Sequence, residues 1–369
     1  MFKISFIGLS LVLLSFCSFG QIIPQDTISN SFTLKDFYQY NPLLERRVDS
    51  VFNTLTDAQR AGQMIIPAAG KLGKPTTVIN QLVKEQKLGG VLLLGGNTTD
   101  FKQLVISLNK QNKGLPLLYS ADAEPSLINR KIGGTQKVKN TADIKSVEDA
   151  RLTAGIINKD LLDMGIRHNF APACDMTTTN EAIGNRSFGS NRDTVVWFSD
   201  AFIQTTQEVG IVATAKHFPG HGFVKGDTHA KLVYIDGELK EVDTYRPLIT
   251  SGVLSVMVGH IAIKNNEIYQ TDGLPASCSR KIVTDLLQHE LGFKGIVVTD
   301  AMNMGALSKI PQATFKAVQA GCDMILMPPN ENSLHASIVQ EMKANETFKN
   351  QIHTSVKKII RLKICLELL

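Results

Sequence analysis

The stretch Gly295–Leu307, GIVVTDAMNMGAL, sets the reading of the fold. Gly295 to Thr299 form a continuous apolar run rather than an alternating one, and a carboxylate, Asp300, follows at once. A strand that is apolar on both faces belongs in a parallel sheet with helices outside it. The same pattern recurs on either side. Upstream lie Leu254–Ile263 (LSVMVGHIAI), Ile211–Lys216 (IVATAK), Ile166–Ala173 (IRHNFAPA), Leu115–Ala121 (LPLLYSA), Gly89–Leu94 (GGVLLL) and Gly62–Ala68 (GQMIIPA). Downstream lies Cys322–Met327 (CDMILM), which makes eight strand candidates past residue 60.

The intervening segments carry apolar residues at helical spacing: Val78–Lys87, Phe101–Asn112, Ser146–Met164, Asp193–Val209, Ser279–Leu291 and Thr314–Ala320. Eight strands alternating with helices predict an α/β fold, a (β/α)8 barrel of the TIM type in a single domain. A doubly wound open sheet is the competitor that periodicity leaves open. Residues 61–369 form the barrel in this reading, closed by one or two helices over Asn332–Leu369, the last being Phe348–Leu369. Residues 21–60 are a lead-in, with Asp36–Thr54 helical and packed across the barrel base.

Composition narrows the function classes. The chain has 369 residues, 43% hydrophobic and 20% charged, with a formal charge of +5. That is an ordinary globular balance, and its scattered basic excess supports neither a nucleic-acid footprint nor a polybasic membrane patch. Residues 1–20 read as a cleaved secretory signal: Lys3, the apolar run Ile4–Phe16, then small Ser18 and Gly20 before Gln21. The expected location is therefore exported, periplasmic or extracellular, with no membrane span left after cleavage. Cys17 is a rival lipid acceptor, although bulky Phe16 precedes it. Cys174, Cys278, Cys322 and Cys365 are far apart, show no metal-ligand spacing, and read as small buried residues rather than a disulfide framework. No metal or organic cofactor is called for.

In a parallel barrel the chemistry gathers at the carboxyl ends of the strands. Those positions hold Asp122, Asp175, Lys216, His217, His260 and Asp300. Any one Asp there reads more simply as a helix cap or turn former. Six polar groups on one rim instead suggest a pocket for a polyhydroxylated ligand held by charged hydrogen bonds.

The segment Lys216–His229, KHFPGHGFVKGDTH, is the most specific in the chain. Pro219, Gly220, Gly222 and Gly226 make a loop with few side chains to hold it, and Asp227 and His229 lie two residues apart. A carboxylate bonded to one imidazole nitrogen fixes the tautomer and raises the basicity, leaving the other nitrogen to move a proton. Asp300, at the mouth of a buried strand, can attack an anomeric carbon while such a His serves first as acid and then as base.

Over Thr56–Leu369 these motifs resemble glycoside hydrolase family 3, in particular its single-barrel β-N-acetylglucosaminidases. KHFPGHG at 216–222 is close to a family signature, and DTH at 227–229 matches the Asp-Ser/Thr-His dyad of that subgroup. The resemblance implies that Asp300 is the nucleophile, His229 the general acid/base and Asp227 its orienting partner. It also implies that Asp122, Arg130, Arg186, Lys216 and His217 hold the terminal sugar, while Asp175 and His260 match recurrent rim positions. The partner is then a carbohydrate, terminal β-linked N-acetylglucosamine on muropeptides or chitin oligosaccharides, cleaved with retention. The alternatives within the family are a β-glucosidase, an N-acetylglucosaminide phosphorylase and a sugar-binding relative without turnover. One departure stands out: Pro125 and Ser126 follow Glu124 where the family usually has Gly-Gly or Trp-Gly, so the loop there must differ.

Three other features take the plainer explanation. Lys216 as a Schiff-base lysine would need an apolar setting that His217 and nearby carboxylates deny it. Trp197, the single Trp, reads as a packing residue in a helix, and Met302, Met304 and Met327 as pocket or core lining.

Overall fold

In the computed structural model, which describes residues 1–2, 31–177 and 179–369, each of the eight apolar runs supplies one barrel strand. The strands are Ile65–Ile66 continued by Ala68–Ala69, then Gly90–Leu93, Leu118–Ala121, His168–Asn169, Val212–Phe218, Ser255–Val258, Ile296–Thr299 and Ile325–Leu326. All neighbours pair in parallel. Pro67, which has no N–H, breaks the first strand in two. Ile65–Ile66 pair with Ile325–Leu326 on one side, and Ala68–Ala69 pair with Leu92–Leu93 on the other. With Val298 bridged to Met324, the sheet closes on itself. Every residue of Gly90–Leu93, Leu118–Ala121, Ser255–Val258 and Ile296–Thr299 is buried, as their unbroken apolar character requires.

Helices Thr76–Lys84, Thr98–Gln111, Val147–Asp163, Arg192–Glu208, Lys281–Glu290 and Ala313–Ala320 fall where helical spacing placed them. Lys281–Glu290 has π-helical hydrogen bonding. Glu331–Ala344 and Glu346–Cys365 complete the barrel, with Asn330 and Asn345 capping their first turns. No helix among the described residues is long and apolar enough to cross a membrane. Residues 3–20 of the proposed leader, Cys17 among them, lie outside the described residues.

Several local expectations are corrected. Gly62 and Gln63 end the helix Asp57–Gln63 rather than begin a strand; Thr56 caps that helix, with reciprocal bonds to Gln59. The run Leu254–Ile263 divides: after Ser255–Val258, Ile261–Lys264 leaves the barrel and pairs in parallel with Val233–Asp236. A further helix, Val242–Thr250, contains Pro247, whose presence hides it from a sequence reading. Trp197 is also not a packing residue; it is 60% exposed on the outside of Arg192–Glu208.

The lead-in helix is Pro42–Asn53, begun by the Asn41 cap and Pro42 at its first position. It lies against the last helix at the amino ends of the strands. Tyr38 Oη donates to Val253 O at 2.5 Å, just ahead of Ser255–Val258, and Arg361 donates to Phe37 O at 2.6 Å and to Glu45 at 2.5 Å. The base of the barrel is thereby sealed, and the opposite rim carries the polar groups.

Candidate active site

The third strand ends at Ala121, and the next residues place two carboxylates over the barrel mouth. Asp122 accepts from Lys216 Nζ at 2.6 Å and from Lys131 Nζ. Glu124, fully buried, takes Arg186 in a two-bond fork at 2.6 and 2.8 Å and lies 2.5 Å from Lys216 Nζ. Lys216 comes from the fifth strand, so its ammonium ties the third strand end to the fifth. Burial would raise the Asp122 carboxyl, but Lys131, Lys216 and Arg186 outweigh it and hold it well below the carboxylate range. Burial would likewise lower the Lys216 ammonium, and Asp122 and Glu124 raise it instead. The cluster is thus a set of paired charges, three cationic and two anionic, that leaves one positive charge in excess and hydrogen-bonding edges for hydroxyl groups.

His217, the next residue, sits over a buried support. Its Nδ1 lies 2.7 Å from Asp175 Oδ2, and Nε2 lies 3.3 Å from Arg186 Nη2. Asp175 Oδ1 accepts the backbone N–H groups of His217 at 3.2 Å and His221 at 2.8 Å. Burial opposes the charge on Asp175, but His217 and His221 together drive its carboxyl far below the usual range. The glycine-rich loop beyond is pinned by Glu241, which accepts from Met176 N at 2.6 Å, Gly222 N at 2.9 Å and Phe223 N at 3.4 Å. Gly222 is required there, since a Cβ would lie 2.4 Å from Met176 O.

Asp300 follows the seventh strand, with Oδ1 accepting Ala301 N at 2.7 Å. Burial would raise its carboxyl; His217, His260, the Ala301 N–H and Lys216 more than offset this and hold it below its ordinary value. The Asp227 carboxylate meets His229 Nδ1 at 2.7 Å and its N–H at 2.8 Å, which leaves Nε2 directed elsewhere. Desolvation raises Asp227, and the bonds from His229 reverse the effect and lower it.

A cavity of about 430 Å³ brings the two segments together. Its polar lining is Asp122, Arg130, Lys131, Arg186, Lys216, His217, His229, Asp300 and Asn303. Leu92, Phe170, Met257, Met304, Leu326 and Met327 supply apolar wall. Asp175 and His260 are absent from that lining. Asp175 lies beneath His217, and His260 is buried between Ser277 Oγ at 2.8 Å and Ala301 O at 3.0 Å, next to Asp300. Both therefore lie behind the rim residues and outside the cavity lining. Arg130 is exposed at the edge.

Three residues of the site carry no clear signal in the sequence. Lys131 is the cation that reaches Asp122, one position beyond Arg130, and nothing in the pattern separates the two. Glu124 stands out in the sequence only as part of a motif, yet it anchors both Arg186 and Lys216. Glu241 stands 65 positions from Met176, whose N–H it accepts, and only the folded chain joins them. The altered loop at Pro125 and Ser126 supports the site from behind. Ser126 Oγ donates to Asn185 O at 2.7 Å and accepts Thr141 N at 2.8 Å, which fastens the turn holding Arg186. A larger groove of about 590 Å³, between Phe223 and the outer strand pair, contains none of the strand-end groups.

The four cysteines named from the sequence are free and buried. The N-terminal domain of glycosyl hydrolase family 3 matches residues 56–362. A β-hexosaminidase of Vibrio cholerae serotype O1 is 34% identical over 260 residues, 67% of this chain and 77% of that protein. Among solved structures, a family 3 β-N-acetylglucosaminidase from Paenibacillus sp. superposes with a TM-score of 0.78 at 28% identity, over 85% of this chain and 63% of that one. The chain thus spans less than two thirds of that enzyme's length. A β-glucoside phosphorylase superposes with a TM-score of 0.82 over 90% of this chain and 62% of its own, and at 21% identity it speaks to the barrel alone. The chain therefore belongs to glycosyl hydrolase family 3, a family of glycoside hydrolases acting on O-glycosyl bonds, and groups with its β-hexosaminidases.

Proposed function

We propose that this protein is an exported, retaining exo-β-N-acetylglucosaminidase that removes terminal β-linked N-acetylglucosamine from muropeptides or chitin oligosaccharides. The observation that carries the reading is that Asp300 and His229 line one cavity together with the Asp122, Lys216, Arg186 and His217 cluster. A volume of about 430 Å³ lies near the lower end of ordinary ligand pockets, about 300–1,000 Å³, and suits one terminal sugar better than an internal chain segment.

In the first step the Asp300 carboxylate attacks the anomeric carbon while His229 gives a proton to the departing glycosidic oxygen. In the second, His229 takes a proton from water as its oxygen displaces the Asp300 ester, returning the sugar with its original anomeric configuration. Asp227 stabilises the imidazolium in the first half and fixes the tautomer in the second. Asp122 and Lys216 accept from and donate to ring hydroxyls, and the apolar wall takes the acetamido methyl group. The leader read at residues 1–20 supports export.

The test compares aryl β-N-acetylglucosaminide with aryl β-glucoside, using the chain and Asp300→Ala. Release from the N-acetyl substrate, lost in the variant, supports the reading. Preference for the glucoside overturns the substrate assignment.

A further inference from the structure

The side chain of His229 is 66% exposed, and among the described residues its hydrogen-bonding side-chain neighbour is Asp227, which is itself 42% exposed. Its place over the cavity must therefore be set by the backbone around it. That backbone is gripped from two directions. Gly305 N donates to His229 O at 3.0 Å, and Ala306 N donates to Thr228 O at 3.1 Å. From the other side, Thr228, whose side chain is buried, meets His221 Nε2 through Oγ1 at 3.2 Å.

Gly305 and Ala306 belong to the loop that begins at Asp300. This loop is itself held to the barrel by Met302 N to Leu326 O at 2.9 Å, and Met304 N to Ala301 O at 3.1 Å closes a turn within it. The approach at Gly305 leaves no room for a side chain: a Cβ would lie 2.6 Å from both His229 O and Ala230 O, and 2.9 Å from the Ala230 carbonyl carbon. All of these are backbone atoms, so relief requires the two loops to part. His221 in turn is joined to the other end of the site, because its N–H is one of the donors to Asp175.

We propose that Gly305, with Ala306 and the His221–Thr228 contact, is a clamp that locks the His229 loop against the Asp300 loop, making Gly305 a positioning residue for proton transfer. The inference rests on His229 being the acid/base, as proposed above. Its consequence is selective. Displacing His229 by about 1 Å removes protonation of the leaving oxygen, an effect on the order of a hundredfold, and leaves attack by Asp300 in place.

The test measures kcat/KM, which reports the first step, for Gly305→Ala and His229→Ala on two N-acetylglucosaminides. Phenyl is a poor leaving group that needs an acid, and 2,4-dinitrophenyl is a good one that does not. The clamp predicts that Gly305→Ala loses about 100-fold on phenyl and stays within about threefold on dinitrophenyl, a smaller copy of the His229→Ala pattern. Equal losses on both substrates from Gly305→Ala, beside a selective His229→Ala, overturn the clamp and leave the acid/base assignment standing. Equal losses from His229→Ala overturn that assignment and the clamp with it. Should Gly305→Ala not fold, Thr228→Val carries the test: a loss of about threefold to tenfold confined to phenyl supports the clamp, and an unchanged ratio between substrates contradicts it.

Discussion

Asp175 Oδ2 lies 2.7 Å from His217 Nδ1 beneath the cavity, while its other oxygen accepts two backbone N–H groups. Three donors from two residues converge on one buried carboxylate. Asp175→Ala strands all three, and a loss of roughly 3–5 kcal/mol in unfolding free energy is expected by denaturant titration. Asp175→Asn keeps the shape but turns an amide N–H₂ or a weaker acceptor toward the ring, so it recovers part of the stability. The pH dependence follows from the depressed folded-state pKa. The stabilisation from ionised Asp175 is fully present above its unfolded value of about 3.9 and is lost as pH falls below that toward the folded value. The wild-type advantage over Asp175→Asn should thus hold at neutral pH and shrink below about pH 4.

Lys131 and Arg130 separate two roles that adjacent cations could share. Lys131 contacts Asp122, and Arg130 sits exposed at the cavity edge. Lys131→Ala is expected to lower kcat/KM about tenfold, by loosening the Asp122 carboxylate that would hold a sugar hydroxyl. Arg130→Ala should stay within about threefold. Steady-state kinetics on the aryl N-acetylglucosaminide distinguish them, and a larger effect at Arg130 would reverse the assignment.

Far from the cavity, Lys363 is wholly buried at the barrel base, where Nζ donates to Gln63 Oε1 at 2.7 Å and Gly89 O at 2.8 Å. Burial brings its ammonium down to about 7. A base with a lowered folded-state pKa costs stability in full below that value and regains it as pH rises toward the unfolded value of about 10.4. Stability relative to Lys363→Met should therefore climb from pH 7 to pH 10, by up to roughly 4 kcal/mol. A flat difference across that range would contradict the burial argument.

The barrel is legible in the sequence because its strands are buried on both faces, which leaves runs such as GVLL at 90–93 with no polar alternation to mistake. What the sequence conceals depends on contacts between distant segments or on residues that contradict local propensity. Pro247 conceals Val242–Thr250. Gly259 and His260 sit inside an otherwise apolar run and mark where the chain leaves the barrel for its outer strand pair. At the site, strand ends locate the cavity, yet the same rule does not tell residues facing into it from those one layer behind. Asp175 and His260 share the strand-end position of Asp122 and Asp300, and only the packing around them shows that they lie behind the cavity wall. Trp197 defies its pattern because an aromatic residue in an amphipathic helix is ordinarily packed, whereas this one faces outward.

The most direct test of the account asks whether Asp300 bonds to the sugar. A fluorinated N-acetylglucosaminyl substrate with a good leaving group slows the second step more than the first, so that the intermediate accumulates and intact mass followed by peptide mapping locates it. A covalent intermediate on Asp300 predicts one sugar equivalent added, carried by the peptide containing Asp300 and absent in Asp300→Ala. Turnover with no adduct, or an adduct on any other residue, would contradict it.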